Sequence, residues 1–381
     1  MLTFAFKPVI LFDRMEEKAY FLSLSYFGFL PRAFLRLLEI FKTPDEIWNS
    51  SFESFAKESG LTPEKVKKFF LFKEKFNAQD SWNKFKRSGI GLITIRDLEY
   101  PELLKEISDP PPVLFYQGNL NSLKRPCFAV IGSRKASPYG KLQASKLSET
   151  LAALGLTVVS GLARGIDQAV HEGSLKSGET AAVLGSGVDR IYPPENENLA
   201  VRIKRQGVIL SEFPPGTPPD PWHFPQRNRI ISGLSIGVLV VEAEEKSGAL
   251  ITARFALEQG RGVFALPGIP GNPLSKGTNG LIQAGGKLVQ EIKDILEEFP
   301  SEVSSLLNLE AVEKSLKEGE KLPEENVARE ILRLLSPKEG VCIEDLVCRM
   351  SLPVSKLSSA LVFLEMKGYV SRLPGNFYVK L

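Results

Sequence analysis

The sequence predicts an α/β fold: a doubly wound parallel sheet at the centre, a small helical domain before it and a winged helix after it. Three patterns carry that prediction. Short apolar strands alternate with helical stretches between 127 and 298, and such alternation calls for crossover connections and parallel neighbours. Helix starts recur through the segment 1–118. The segment 324–381 closes on helical stretches and a hairpin. A chain of 381 residues with 43% hydrophobic content is long enough for about two to three domains and apolar enough to fold.

In the segment 1–118, Pro31 to Phe41 places Phe34, Leu37, Leu38 and Phe41 at helical spacing. Thr43-Pro44-Asp45-Glu46 reads as the next helix start: Thr43 caps, Pro44 takes the first helical position and Glu46 closes a capping box. Gly60-Leu61-Thr62-Pro63 repeats the signal before Glu64 to Phe76. Glycine turns between helices are similar to helix-hairpin-helix modules, which hold DNA phosphates through backbone amides. A plain helical bundle used for contacts is the other reading.

The segment 119–298 carries the sheet. Cys127 to Ile131 is a short apolar strand, and Ser137-Pro138 starts a helix with Leu147, Leu151 and Leu154 on one stripe. Further strands fall at Leu156 to Ser160, Thr180 to Leu184, Val208 to Ser211, Gly237 to Glu242 and Val263 to Leu266. Helices from about Asp167, from Pro194 to Arg205 and from Gly248 to Gln259 lie between them. Val238 to Val241 is apolar throughout, as a strand covered on both faces is.

Residues 299–323, rich in Glu, Lys and Ser, read as a linker. Helices at Val327 to Leu335, Ile343 to Met350 and Ser355 to Lys367 then lead to Tyr369-Val370-Ser371-Arg372, a Pro374-Gly375-Asn376 turn and Phe377-Tyr378-Val379, the pattern of a winged helix over 324–381. Its last helix offers Lys356 and Lys367 against Glu365, with Leu357, Leu361 and Leu364 on the core stripe. That favours a protein-contact or auxiliary role over base reading, which draws on Arg, Asn and Gln.

Composition narrows the function. The net charge is only +3, and the segment 119–298 holds 20 basic and 17 acidic side chains (20 − 17 = +3). A nucleic-acid site must therefore be a local patch. The cysteines Cys127, Cys342 and Cys348 show no C-x-x-C spacing and an odd count, which fits free thiols in a reducing compartment. With His171 and His223 the only histidines, no zinc site is expected. No apolar run reaches the roughly 20 residues of a membrane helix, and Met1 to Met15 lacks the basic region of a signal peptide. A cytoplasmic protein with no membrane partner is expected.

Ligands of an open parallel sheet bind beyond the carboxyl ends of its strands. Here those ends read Gly132-Ser133-Arg134, Ser160-Gly161-Leu162-Ala163-Arg164-Gly165-Ile166-Asp167, Gly185-Ser186-Gly187, and Ser247-Gly248 at a helix start. Glycines there let amides approach an anion, and helix N-termini add positive potential. In Phe224-Pro225-Gln226-Arg227-Asn228-Arg229, two arginines lie just after Trp222, His223 and Phe224. Guanidinium forks suit phosphates, and aromatics stack unpaired bases. The blander reading puts Trp222 and Phe224 in the core and one arginine in a structural role.

Arg190 stands where a dinucleotide fingerprint would place its third glycine, and a Walker A lysine is missing, so no cofactor is expected. No catalytic or metal constellation stands out. His171 would orient the Asp167 carboxylate, Cys127 reads as core, and Asp189, Glu212 and Glu242 are candidate general bases whose default reading is structural.

Taken together, these stretches resemble the DprA/Smf family (DNA-processing protein A). The resemblance rests on Tyr100-Pro101, Asp109 to Phe115, Gly132-Ser133-Arg134, Ser160 to Asp167, Gly187-Val188-Asp189, Tyr192 to Asn196, Phe224 to Ser235, Ser247 to Ala253, Pro267-Gly268 and Gly277 to Ile282. It covers roughly residues 100–286. Gly285-Gly286, and Ser186 at its position, depart slightly from the family's pattern. The resemblance implies an extended Rossmann core with a SAM-like head and a winged-helix tail. It implies a homodimer formed through the Rossmann domain that binds single-stranded DNA and passes it to the RecA recombinase in natural transformation, without enzymatic activity. Carried over, the DNA site comprises Gly132, Ser133, Arg134, Gly161, Arg164, Gly165, Arg227, Asn228, Arg229 and Ser247.

The rival reading is an enzyme. The same branch of the fold resembles the cytokinin-activating phosphoribohydrolases, which rely on P-G-G-x-G-T-x-x-E. The corresponding helix here starts Ser247-Gly248-Ala249-Leu250-Ile251-Thr252, and Phe255 stands where the glutamate would be.

Overall fold

The strands β1 (Gly91–Thr94), β2 (Val113–Gly118), β3 (Cys127–Ile131), β4 (Thr157–Ser160), β5 (Thr180–Val183), β6 (Val208–Ser211), β7 (Gly237–Val240), β8 (Gly262–Ala265) and β9 (Lys287–Leu288) share one sheet. Their lateral order is β1-β2-β6-β5-β4-β3-β7-β8-β9. β3 to β9 pair with one another in parallel, and β2 and β1 extend the sheet antiparallel beyond β6. The computed structural model describes residues 14–308, 325–337, 340–350, 352–366, 369–373 and 375–381. Met1 to Asp13, residues 309–323 of the expected linker, Lys367 and Pro374 lie outside these.

Strand periodicity sorts side chains onto two faces. On β2, Val113 and Phe115 join a core with Phe21, Phe55 and Phe69 of the helical domain, while Leu114 joins Ile230 and Ile231 on the opposite face. The helices Ile166–Ser177 and Glu197–Gln206 add Leu175, Leu199 and Ile203 to the first face, and Gly248–Glu258 adds Ala249 and Ala253 to the second. This is the expected doubly wound arrangement.

The helical domain folds around Phe69, whose ring lies 4.9 Å from Phe55, 5.2 Å from Phe27 and 5.3 Å from Phe29. Thr43 Oγ1 accepts the Glu46 amide as expected, whereas Thr62 makes no such cap before Pro63–Lys75. Residues 91–118, placed with the helices by sequence, supply β1 and β2. These strands are separated only by a short turn of helix, Glu102–Lys105, and so lack the regular strand–helix alternation that marks the others. Phe85 packs 6.0 Å from Phe115, so helices and sheet share one core in a compact unit ending at Asn308. Part of the expected linker also belongs to it. Phe299 packs on Phe128 at 5.6 Å, and the Asn308 amide donates to Leu154 O at 3.0 Å.

The second unit begins at Leu309. Its helices Glu325–Leu334, Ile343–Met350 and Val354–Met366 accompany β10 (Val341–Cys342), β11 (Val370–Leu373) and β12 (Phe377–Lys380), ordered β10-β12-β11. Leu357, Leu361 and Leu364 are buried, and Lys356 and Glu365 are exposed. Among the described residues no helix is long and apolar enough to cross a membrane.

His171 does not orient Asp167. Its Nδ1 lies 2.8 Å from Thr180 Oγ1, and that hydroxyl donates to Val158 O at 2.7 Å. The hydroxyl therefore accepts from Nδ1–H. Nε2 is left buried without a partner. Burial, helped by the Arg227 charge, pushes the imidazole pKa down to about 3. The unfolded chain binds this proton below about pH 6.5 and the folded chain does not until about pH 3. Stability from this group is thus complete above the unfolded value and falls with pH, by up to about 1.4 kcal/mol per unit. His171→Asn, which keeps a donor toward Thr180, is expected to remove about one proton from the acid dependence of unfolding in urea titrations between pH 4 and 6. An unchanged acid slope would contradict this.

Candidate nucleic-acid interface

Chain direction across the sheet reverses between β3 and β7, and the crevice at their carboxyl ends is the natural ligand position. It holds a cavity of about 540 Å³. The β3 end contributes Gly132, Ser133, Arg134 and Lys135, the loop after β4 contributes Ala163, and the helix that follows it contributes Asp167. The helix His223–Gly233 contributes Phe224, Arg227 and Asn228, and Ser247 and Gly248 come from beyond β7. Phe224, Arg227, Asn228 and Ile231, all lining it, recur at the spacing of one helical face.

The floor is built on Arg227, a buried residue. Its Nη1 donates to Gly161 O at 2.8 Å and also to Val183 O. From the other side, the Asp167 carboxylate accepts the amides of Gly161 at 3.2 Å and Ala163 at 3.4 Å. A Cβ at residue 161 would fall 2.4 Å from the Arg227 guanidinium, so any larger residue there would push Arg227 off the carbonyls it holds. Gly165, at φ +79°, lies against Ser133 O, which a Cβ would meet at 2.4 Å. Burial pushes the Asp167 carboxyl up, with the Arg227 charge opposing it. Burial also lowers Arg227 to about 10, which leaves it cationic at neutral pH.

These bonds revise the expectation that loop amides face a ligand anion. Asp167 takes those of Gly161 and Ala163, Glu242 O accepts the Ser133 amide at 2.7 Å, and Ser133 Oγ accepts that of Lys135 at 3.1 Å. Side chains supply the exposed positive charge. Arg134 and Lys135 are exposed at the mouth, and the Arg134 guanidinium lies over the Phe224 ring at 5.0 Å. Tyr192 stands 5.7 Å from the same ring. Arg164 is exposed and ion-paired with Glu195. Asn228 Nδ2 donates to Gly248 O at 3.3 Å, and Ser247 Oγ caps its helix at the Ala249 amide. Trp222 is 83% exposed and is no part of the core.

Arg229 lies elsewhere. Residues two apart on a helix point about 200° away from each other, so Arg227 and Arg229 cannot share the groove face. Arg229 Nε meets Asp109 at 3.1 Å and Nη2 meets Glu212 at 2.6 Å, with its side chain 3% exposed. The blander reading of one arginine is correct here. The candidate general bases are also engaged. Glu212 holds Arg229, and Glu242 accepts the Ser137 amide at 2.9 Å and its hydroxyl. Asp189 accepts the Gly216 amide at 2.8 Å. Sequence reasoning left out Lys135 and Tyr192 as site residues. Adjacency to Arg134 was the available signal for Lys135, and Tyr192 opens the Tyr192 to Asn196 motif.

The sequence profile of the family described as DNA recombination-mediator protein A matches residues 91–300, beginning on the first residue of β1, and that of the DprA winged helix domain matches 317–376. The chain is 40% identical over 328 residues to Protein Smf of Escherichia coli, spanning 85% of this chain and 86% of that protein. It is 47% identical over 218 residues to DNA processing protein DprA of Bacillus subtilis, spanning 57% and 73%. The X-ray structure of DNA processing protein A from Streptococcus pneumoniae superposes with a TM-score of 0.68 at 39% identity, covering 74% of this chain and 98% of that one. DNA processing protein A from Helicobacter pylori, whose structure is described for its single-stranded DNA binding mode, gives 0.51 at 30% identity, covering 55% and 97%.

The two kinds of arginine are expected to separate experimentally. Arg229→Ala strands Glu212 without its partner and should cost about 3–5 kcal/mol of stability, while Arg134→Ala, at an exposed site, should cost less than about 0.5 kcal/mol. Urea unfolding of the two variants checks this, and equal losses would contradict the assignment.

Proposed function

Because this chain belongs to the DNA recombination-mediator protein A family, we propose that it binds single-stranded DNA along the groove at the β3–β7 crevice. On this reading it is a cytoplasmic homodimer that shelters the strand and passes it to the RecA recombinase in natural transformation, and it performs no chemistry on the strand. The observation that carries the reading is the Arg134 guanidinium lying over the half-buried Phe224 ring, with Lys135 and Tyr192 beside it. A cation meets a phosphate and an aromatic face meets a base, and an unpaired strand offers both along one edge. The Helicobacter pylori relative, described for binding single-stranded DNA, supports the same assignment.

Binding rather than catalysis is supported by Glu212, Glu242 and Asp189, each hydrogen-bonded within the fold, and by Phe255 in place of the phosphoribohydrolase glutamate. Within the proposed site, Arg134, Lys135, Arg164 and Asn228 meet the strand directly. Gly132, Ser133 and Ser247 shape the wall, and Gly161, Gly165 and Arg227 hold the floor. Arg229 acts through stability alone. Contacts to phosphate do not read sequence, so little base preference is expected.

Polarisation titration of a labelled oligothymidine tests this. Arg134→Ala with Lys135→Ala is expected to weaken binding about tenfold or more and to reduce the slope of log K against log salt by about 1.4, at roughly 0.7 per phosphate contact. Unchanged affinity and slope would reject the groove as the site.

A further inference from the structure

We propose that Trp222 is an external stacking platform for one base of an unpaired strand, so that the binding track continues past the cavity onto the loop before the His223–Gly233 helix. The proposal rests on the single-strand reading above and extends it to a residue outside the cavity.

Trp222 is 83% exposed, whereas the other tryptophans, Trp48 and Trp82, are each 8% exposed within the helical domain. A large flat apolar ring left in water beside a polar groove is the feature that calls for an occupant. The neighbouring residue Pro221 and, two residues on, Phe224 both line the groove, so Trp222 stands in sequence between two lining residues.

The backbone under this ring is held from several directions. Asp220 Oδ1 accepts the Trp222 amide at 2.9 Å, and Asp220 O accepts the His223 amide at 3.0 Å. The His223 ring stacks on Phe213 at 4.0 Å. Further back in the loop, the Gly187 amide donates to Thr217 O at 2.9 Å and the Gly216 amide to Asp189 at 2.8 Å. The backbone that carries the ring is therefore tied down before any ligand arrives, which lowers the ordering cost of stacking. The ring carries no charge and its face accepts any base, so the platform adds length and affinity to the track without base preference.

The three tryptophans make the test direct, because Trp222 alone among them is open to solvent. Oligothymidine titrated into the full chain is expected to quench tryptophan emission, and Trp222→Phe is expected to abolish that quenching. By polarisation, Trp222→Ala should weaken binding about tenfold and Trp222→Phe should recover most of the loss. At so exposed a position neither variant threatens folding. If the oligonucleotide binds by polarisation while emission stays constant, or if Trp222→Ala binds like the parent chain, the platform is rejected and the groove reading stands. If the parent chain shows no single-strand binding at all, the platform and the groove reading fall together.

Discussion

One guanidinium beneath the crevice governs the rest of the site. Arg227 reaches under the carboxyl ends of β4 and β5 and donates to the carbonyls of Gly161 and Val183. A charge buried in that position is tolerable only where acceptors and a counter-charge meet it, and Asp167 supplies the counter-charge. The same carboxylate gathers the amides of Gly161 and Ala163. The loop after β4 is thus tied through the Gly161 carbonyl and through the Gly161 and Ala163 amides, and a side chain at 161 would crowd the Arg227 guanidinium.

The arginines divide into two classes by direction. Arg227 and Arg229 point inward and organise the molecule: one ties strand ends, the other ties the Asp109 and Glu212 carboxylates across the back of the helix. Arg134 and Arg164 are exposed, the first over the Phe224 ring and the second paired with Glu195. Motif residues far from the groove fall into place on this division. Asp109 pairs with Arg229, and Tyr100 donates to Pro111 O at 2.8 Å in the same wall. Much of what makes this sequence recognisable maintains the geometry behind the site rather than the site itself.

How much was legible in the sequence follows from the same physics. β3 to β8 were readable because strands covered on both faces leave continuous apolar runs between helix signals. β1 and β2 were not, because a strand pair joined through a single helical turn has no alternation around it. The groove's edge was readable from glycines at strand ends, and Phe224 and Arg134 from their neighbours. Composition could not separate Arg229 from Arg227, although helical spacing could have done so, since opposite faces of one helix cannot both meet the crevice. Which amides were already engaged depended on Asp167 folding back four to six residues onto its own loop, a contact that no local pattern announces. The exposure of Trp222 likewise depended on how the loop before it was anchored.

Photochemical crosslinking of an oligonucleotide carrying 5-iododeoxyuridine to the full chain, with adducts mapped by mass spectrometry, shows where an unpaired strand lies. Adducts are expected on the aromatic side chains at the crevice mouth, Phe224 and Tyr192. Adducts confined to the helical domain or the winged helix, with that mouth unmodified, would contradict the groove assignment.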